Sequence, residues 1–488
     1  MNTLERANQY IKEHQLPKTE LPVFHVAPPI GWMNDPNGFS FYQNRIHLFY
    51  QFHPYSKEWG PMHWGHVVSD DFIRWQHMPV ALAPEEPYDN AGCFSGSAMS
   101  VDMASKISVD ADVHLIAYTG VMKDYSQNQC LAVGDGKTYR KLPYNPVVTG
   151  DMLPENFSRV DFRDPKIWKE DDGYYMMVGN KTLEGIPQVV LFHSPNLKTW
   201  HFESVLASAQ SHELGTMWEC PDFFELEGKY VLMTSPQDMC ADATFHNGNN
   251  SVAMIGSYHP SVHQFHKQDV QTLDDGLDFY APQSMLMPDG RRIMIAWMQS
   301  WDSNIRPVAP KWSCMMTLPR ELHLVDGKII QMPVREIKNY YVDTVNIENQ
   351  VVSGKQSFDG ISGRVLDMTV EVFEGDYSEF TVHFAHDERF DTKISYEKRK
   401  NQLELDRTYS GMARDTAAIR KVWMRYPKDT LKLRILLDKY SAEIFVNDGT
   451  QVLSTTLYTP SEAGQIIFEC DGSAKISVTK HAIAVQED

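Results

Sequence analysis

The chain has 488 residues, with 64 acidic against 45 basic side chains and a formal net charge of −19. That balance excludes the basic footprint that nucleic acid requires, and it disfavours an anionic membrane surface. The length exceeds one ordinary domain, so two are expected, each with its own core.

Residues 1–20 read as a helical segment. Leu4, Ala7 and Ile11 make one apolar stripe that closes before Pro17. The segment has neither the basic start nor the apolar run of a secretory signal, and no stretch of 18 apolar residues occurs in the chain. Six cysteines (Cys93, Cys130, Cys220, Cys240, Cys314, Cys470) are scattered with no CxxC pair. Together these features fit a cytoplasmic protein with reduced thiols.

Residues 21–331 carry a repeat. Similar strands begin at Arg45, Val113, Gly173, Gly228 and Arg291, in steps of 68, 60, 55 and 63 residues. Ahead of each stands a short polar or acidic motif: NDPNG at 34–38, FSGS at 94–97, FRDP at 162–165, WECPD at 218–222 and FYAPQ at 279–283. Five all-strand units of about 60 residues predict a five-bladed β-propeller. Equivalent positions of successive blades ring one axis, so Asp35, Asp164 and Glu219 should point into a shared funnel. Residues 332–345 break the pattern and read as a connector with a short helix. Residues 346–488 hold seven or more short alternating strands with Asp-Gly turns, which predicts a β-sandwich, by default a packing module, with sugar binding as the alternative. The fold class is therefore all-β, a five-bladed propeller followed by a sandwich.

Each acid also has a plainer explanation: an Asx-turn for Asp35, an Arg–Asp pair for Asp164, a satisfied buried glutamate for Glu219. Their matched repeat positions favour chemistry. Asp35, among asparagines, is expected to ionise readily. Glu219, between Trp218 and Cys220, is expected in an apolar setting that raises its pKa, as a general acid needs. One ionised and one protonated carboxyl are the minimum kit for glycoside hydrolysis. Trp32, Trp59, Phe94, Trp218 and Trp297 offer stacking faces for sugar rings. No metal or cofactor is implied. His63 and His66 would face opposite sides of a strand, and neither a GxGxxG nor a P-loop motif occurs.

The motifs WMNDPNG (32–38), FSGSA (94–98), FRDPK (162–166), WECPD (218–222), DFYAPQ (278–283) and TLPREL (317–322) together closely resemble glycoside hydrolase family 32. The match runs from about Phe24 to Leu322 in the family's order; beyond it only length and strand pattern agree. The resemblance implies a propeller joined to a sandwich and a retaining β-fructofuranosidase acting on sucrose, sucrose 6-phosphate or short fructo-oligosaccharides. It assigns Asp35 as nucleophile, Glu219 as general acid/base and Asp164 as stabiliser of the transition state. It places Asn34, Gln51, Trp59, Phe94, Ser95, Arg163 and Trp297 in the fructose-binding set, with Tyr280 and Gln283 as further candidates. His53 departs from the Asn that many relatives carry. The partner is a small sugar, with no nucleic acid and no membrane, and the sequence leaves the oligomeric state open. Rival readings are an inverting arabinan or xylan hydrolase, a non-catalytic fructan-binding protein, and transfer of fructose to another sugar. Phosphate recognition would call on Lys57, Arg291 or Arg292.

Overall fold

The computed structural model describes residues 2–101, 113–303, 311–414, 416–428 and 430–485. Helix α1 (Thr3–His14) starts with a capping box: the Asn2 side chain accepts from the Glu5 backbone, and the Glu5 side chain accepts from the Asn2 backbone. Its stripe of Leu4, Ala7 and Ile11 packs into the core shared with blade one.

Five antiparallel meanders follow. Blade one is β1 (Gly31–Tyr42), β2 (Arg45–His53), β3 (His63–Ser69) and β4 (Gln76–His77). Blade two is β5 (Gly92–Val101), β6 (Val113–Val121), β7 (Gln127–Gly134) and β8 (Tyr139–Lys141). Blade three is β9 (Phe157–Glu170), β10 (Gly173–Thr182), β11 (Pro187–Ser194) and β12 (His201–Ser208). Blade four is β13 (Trp218–Leu226), β14 (Lys229–Pro236), β15 (Val252–His259) and β16 (Gln264–Thr272). Blade five is β17 (Tyr280–Leu286) and β18 (Arg292–Trp297), then, after β19 (Trp312–Ser313), β20 (Arg320–Val325) and β21 (Lys328–Pro333).

The recurring strands of the sequence are the second strand of each blade. They read as continuous apolar runs because blades cover both their faces. In β10, Tyr174, Met176 and Val178 enter the core shared with blade two, while Tyr175 and Met177 enter the core shared with blade four. Strand alternation with a period of two sorts them. The polar motifs lie on the first strands, which touch in a closed ring: β1 with β5 and β17, β5 with β9, β9 with β13, β13 with β17. The short β19 pairs in parallel with β1, tying blade five to blade one.

The stretch expected as a connector, 332–345, holds a 3-10 helix at Arg335–Tyr340, but the strand that begins at Tyr341 already belongs to the second sheet. That part contains β22 (Tyr341–Gln356), β23 (Leu366–His386), β24 (Asp391–Glu397), β25 (Gln402–Tyr409), β26 (Ile419–Trp423), β27 (Leu431–Asp438), β28 (Ser441–Val446), β29 (Gln451–Thr456) and β30 (Gln465–Ile483). The first half of β23 pairs with β27 and the second half with β24, while β30 follows both. Its strands therefore fold over one apolar core as a sandwich.

The two parts are joined by buried charge. His25 lies between Asp438 and Glu443, with its Nδ1 and Nε2 each 2.9 Å from a carboxylate oxygen. Arg320 donates to Glu443 at 3.0 Å and to Asp274 at 3.1 Å, and all these side chains are fully buried. Burial alone would lower the His25 pKa; the hydrogen bonds and charges of Asp438 and Glu443 outweigh it and raise the group to about 9. A folded pKa above the unfolded 6.5 gives stability that is fully present below pH 6.5 and lost as pH rises through about 9. Chemical denaturation should therefore show the chain weakening from pH 6.5 to 9, and His25→Gln should flatten that slope while lowering stability at pH 6. An unchanged slope in the variant would contradict this assignment.

Candidate active site

Every first strand breaks its pairing at the motif. Asn34 and Asp35 lie between the Met33↔Phe52 and Pro36↔Tyr50 pairs, and Ser95 lies between Phe94↔Thr119 and Gly96↔Tyr118. Asp164-Pro165 sits between Arg163↔Gly179 and Lys166↔Met177, Cys220-Pro221 between Glu219↔Ser235 and Asp222↔Met233, and Ala281-Pro282 between Tyr280↔Trp297 and Gln283↔Ile295. These are β-bulges, which bend a strand and re-aim its side chains. The motifs are thus bulged strands, whereas Asn-Asp-Pro-Asn-Gly alone reads as a tight turn. Asp164, Cys220 and Ala281 hold φ of 67°, 48° and 52°. Proline is tolerated because these strands are the inner edges of their blades. Blade two has Gly96 there instead, where a Cβ would meet the Ala117 carbonyl oxygen at 2.0 Å.

The register places Asp35, Ser95, Asp164, Cys220 and Ala281 in one ring. Glu219 belongs one residue earlier, in line with Phe94, Arg163 and Tyr280. Both rings face the same space. Asp35 Oδ2 accepts from Ser95 Oγ at 2.8 Å, and Oδ1 accepts from Asn34 Nδ2 at 3.1 Å. Asp164 Oδ2 accepts from the Cys220 N–H at 2.9 Å. The Cys220 thiol stands 3.5 Å from Asp35 Oδ2 and 3.6 Å from Asp164 Oδ2, so one residue spans two carboxylates. Glu219 accepts from Arg163 Nε at 3.0 Å, Gln237 Nε2 at 2.9 Å and the Tyr280 hydroxyl at 2.7 Å.

Two expectations about these acids are corrected. Asp35 does not lie in a setting that lowers its pKa: burial first, then the Glu219 charge, push it up, against the hydrogen bonds from Ser95 and Asn34. The surroundings of Glu219 are polar, because Arg163, Gln237 and Tyr280 enclose its carboxylate and Trp218 turns elsewhere. The Trp218 ring is buried between blades three and four and donates to the Leu214 carbonyl at 2.9 Å, so Trp218 is not a stacking face of the funnel. Asp164 is pushed up to about 7, by burial and by Glu219 and Asp35, against the charge of Arg163. Arg163 itself pairs with Glu219 and Asp161.

The expected sugar-facing residues gather here. Trp32, Phe94, Tyr280 and Trp297 form one cluster with Cys220, and Trp59, half exposed, meets Phe94 edge-on at 6.2 Å. Gln51 holds the Cys93 carbonyl at 3.0 Å, just before Phe94. Gln283 is buried on β17 beyond the bulge. His53 lies under Gly60, where a Cβ would sit 2.7 Å from its ring, and so supports the loop carrying Trp59. Lys57 is in that loop. Arg291 and Arg292 are not at the funnel: Arg291 pairs with Asp289, Glu321 and Glu336. Arg292 opposes Leu286 at the far end of β18, five residues and roughly 17 Å from Trp297. A cavity of about 540 Å³ opens elsewhere, between blades four and five and the sandwich, and Asp35, Asp164 and Glu219 are not in its lining.

Residues not singled out include Thr119, whose Oγ1 accepts from the Asp164 N–H at 2.9 Å, and Gln237. A signal for Thr119 existed: it stands at the same point of its recurring strand as Gln51 and Trp297, six residues from the start. Cys220 stood beside an acid in the sequence, but its backbone N–H bond to Asp164 has no sequence signature.

A propeller with two buried carboxylates and a third, partly exposed one converging at its axis, joined to a sandwich, has the architecture of a glycoside hydrolase. The chain belongs to glycosyl hydrolase family 32: the family's N-terminal domain matches residues 25–333 and its C-terminal domain residues 336–484. It is 37% identical over 458 residues to a sucrose-6-phosphate hydrolase of Escherichia coli, covering 92% of this chain and 91% of the relative. It is 37% identical over 468 residues to a raffinose invertase of Escherichia coli, covering 93% of each. A family 32 beta-fructofuranosidase structure from Bombyx mori superposes with a TM-score of 0.81 at 31% identity, covering 98% of this chain and 97% of that one.

The raised Asp164 pKa makes a stability prediction. A folded pKa of about 7 means the native state holds a proton the unfolded chain releases, so stability falls as pH rises from about 3.9 to about 7. Asp164→Asn removes that penalty. Its melting temperature should match wild type near pH 4 and exceed it increasingly towards pH 8; a variant less stable than wild type at pH 8 would contradict the electrostatic account.

Proposed function

We propose that this chain is a retaining β-fructofuranosidase that hydrolyses terminal β-D-fructofuranosides: sucrose, sucrose 6-phosphate or short fructo-oligosaccharides. The single observation that carries the reading is the convergence of Asp35, Asp164 and Glu219 on Cys220 and its neighbours, in a chain of family 32. The names of the Escherichia coli and Bombyx mori relatives support the substrate class.

Asp35 attacks C2 of the fructosyl unit, its carboxylate aimed by Ser95 and Asn34. The bond from C2 to the leaving oxygen breaks, and Glu219 gives that oxygen its proton. A fructosyl ester of Asp35 remains. Water then attacks C2, Glu219 takes the water's proton, and Asp35 leaves as carboxylate. Asp164 accepts hydrogen bonds from ring hydroxyls, which strengthen as positive charge develops. Arg163, Gln237 and Tyr280 keep the Glu219 carboxyl in place through both proton transfers. The propeller is the catalytic domain and the sandwich a packing module. A cytoplasmic location goes with this reading, on cysteines that form no disulfide among the described residues.

Asp35→Ala should lower kcat on sucrose by on the order of 10⁴ or more while the fold persists. Glu219→Gln should be crippled on sucrose and much less so on a fructoside with a good leaving group, which needs little protonation. An equal loss on both substrates would remove Glu219 from the acid role. Proton NMR of the first-formed fructose anomer separates retention from the inverting alternative. Absence of any turnover on sucrose, sucrose 6-phosphate and kestose would leave only a binding protein.

A further inference from the structure

The sandwich carries a second constellation that hydrolysis does not use. His383 and His386 lie on β23, three residues apart, and Asp391 opens β24 across the hairpin. On a regular strand residues i and i+3 face opposite sides. Here the pairing of β23 with β30 shifts between His383 and His386, and Ala385 holds φ of 48°, so the two imidazoles turn to one side with ring centroids 5.8 Å apart. His383 Nδ1 is 3.0 Å from both Asp391 oxygens, and His386 Nδ1 is 3.2 Å from Asp391 Oδ1. One ligand atom from each of the three lies within 4.8 Å of the others. The His386 Nδ1 atom is buried and makes no hydrogen bond.

We propose that His383, His386 and Asp391 bind a divalent transition metal, zinc by donor chemistry, that clips the β23–β24 hairpin. Two imidazoles and one carboxylate are a borderline donor set that suits zinc over magnesium or calcium. Bonds of about 2.0–2.1 Å in a tetrahedron put ligand atoms roughly 3.3 Å apart, close to the two separations from Asp391. The far nitrogen supplies the orienting contact: His383 Nε2 stands 3.0 Å from Glu469 Oε2 on β30, which directs Nδ1 to the metal. Asp387 holds the turn by accepting from the Arg389 N–H at 2.7 Å and the Phe390 N–H at 2.8 Å, setting Asp391 against His386. Three protein ligands leave the fourth position to water. The other histidine cluster, His193, His201 and Glu203, is more exposed.

The test uses the full chain stripped with EDTA. Titration calorimetry with zinc chloride near pH 7.5 should give one site that His386→Ala weakens at least tenfold, with Asp391→Asn as a second variant should the first misfold. Glu469→Ala should weaken it by about 10–100-fold, as loss of an orienting partner does. Cobalt(II) should give the intense visible bands of tetrahedral coordination, lost in the same variants. No zinc uptake by the stripped wild type would overturn the proposal, leaving His383 as a bridge between Asp391 and Glu469. Binding that survives His386→Ala but disappears in His201→Ala would overturn it equally, by placing the metal on the other cluster.

Discussion

The functional geometry depends on one backbone irregularity repeated five times. A regular strand along the propeller axis would send alternate side chains into the blade interior, and no acid could meet an acid from the next blade. A bulge at the same level of each first strand turns Asp35, Ser95, Asp164, Cys220 and Ala281 towards the axis together. Three of these residues hold positive φ without being glycine, a conformation that costs of order 1–3 kcal/mol each and persists only where the surroundings enforce it. The enforcement comes from the second strands, whose side chains fill the cores on both sides.

That rigidity has an electrostatic consequence. Asp35 and Asp164 are buried beside Glu219, and mutual repulsion with loss of water pushes both aspartates up. Water is not free to relax this. The scaffold offsets it with a few fixed donors: Ser95 and Asn34 on Asp35, the Cys220 amide on Asp164, and Arg163, Gln237 and Tyr280 on Glu219. Donors fixed before the substrate arrives need no reorganisation when charge develops on the sugar, which is how preorganised sites lower barriers. The sandwich is fastened to this scaffold by charges that are fully buried, His25 and Arg320 of the propeller against Asp438 and Glu443 of the sandwich.

Much of this was legible in the sequence. The spacing of the second strands marked five blades because burial on both faces makes them apolar throughout, the strongest signal a strand can carry. The acids were legible because each stands in a proline-containing motif just ahead of such a strand. Their environments were not. Sequence neighbours of Glu219 suggested an apolar pocket, yet the Trp218 ring turns into the core between blades three and four, the bulge brings only the Cys220 thiol to the site, and the true partners of Glu219 come from three other strands or loops. The offset of Glu219 by one residue from Asp35 and Asp164 is set by bulge register, which composition does not encode. Arg291 and Arg292 looked available for phosphate, but strand length carries them to the outer end of blade five. The start of the second sheet at Tyr341 was hidden because β22 has a mostly exposed surface and little apolar alternation.

The account rests on Asp35 becoming covalently joined to fructose while Glu219 manages the proton. Mass spectrometry on Glu219→Gln, quenched by acid during turnover of a fructoside with a good leaving group, tests that directly. The account predicts a population of protein heavier by one fructosyl unit, with the added mass on the peptide containing Asp35. Turnover with no adduct, or an adduct mapped to Asp164 or any other residue, would contradict it.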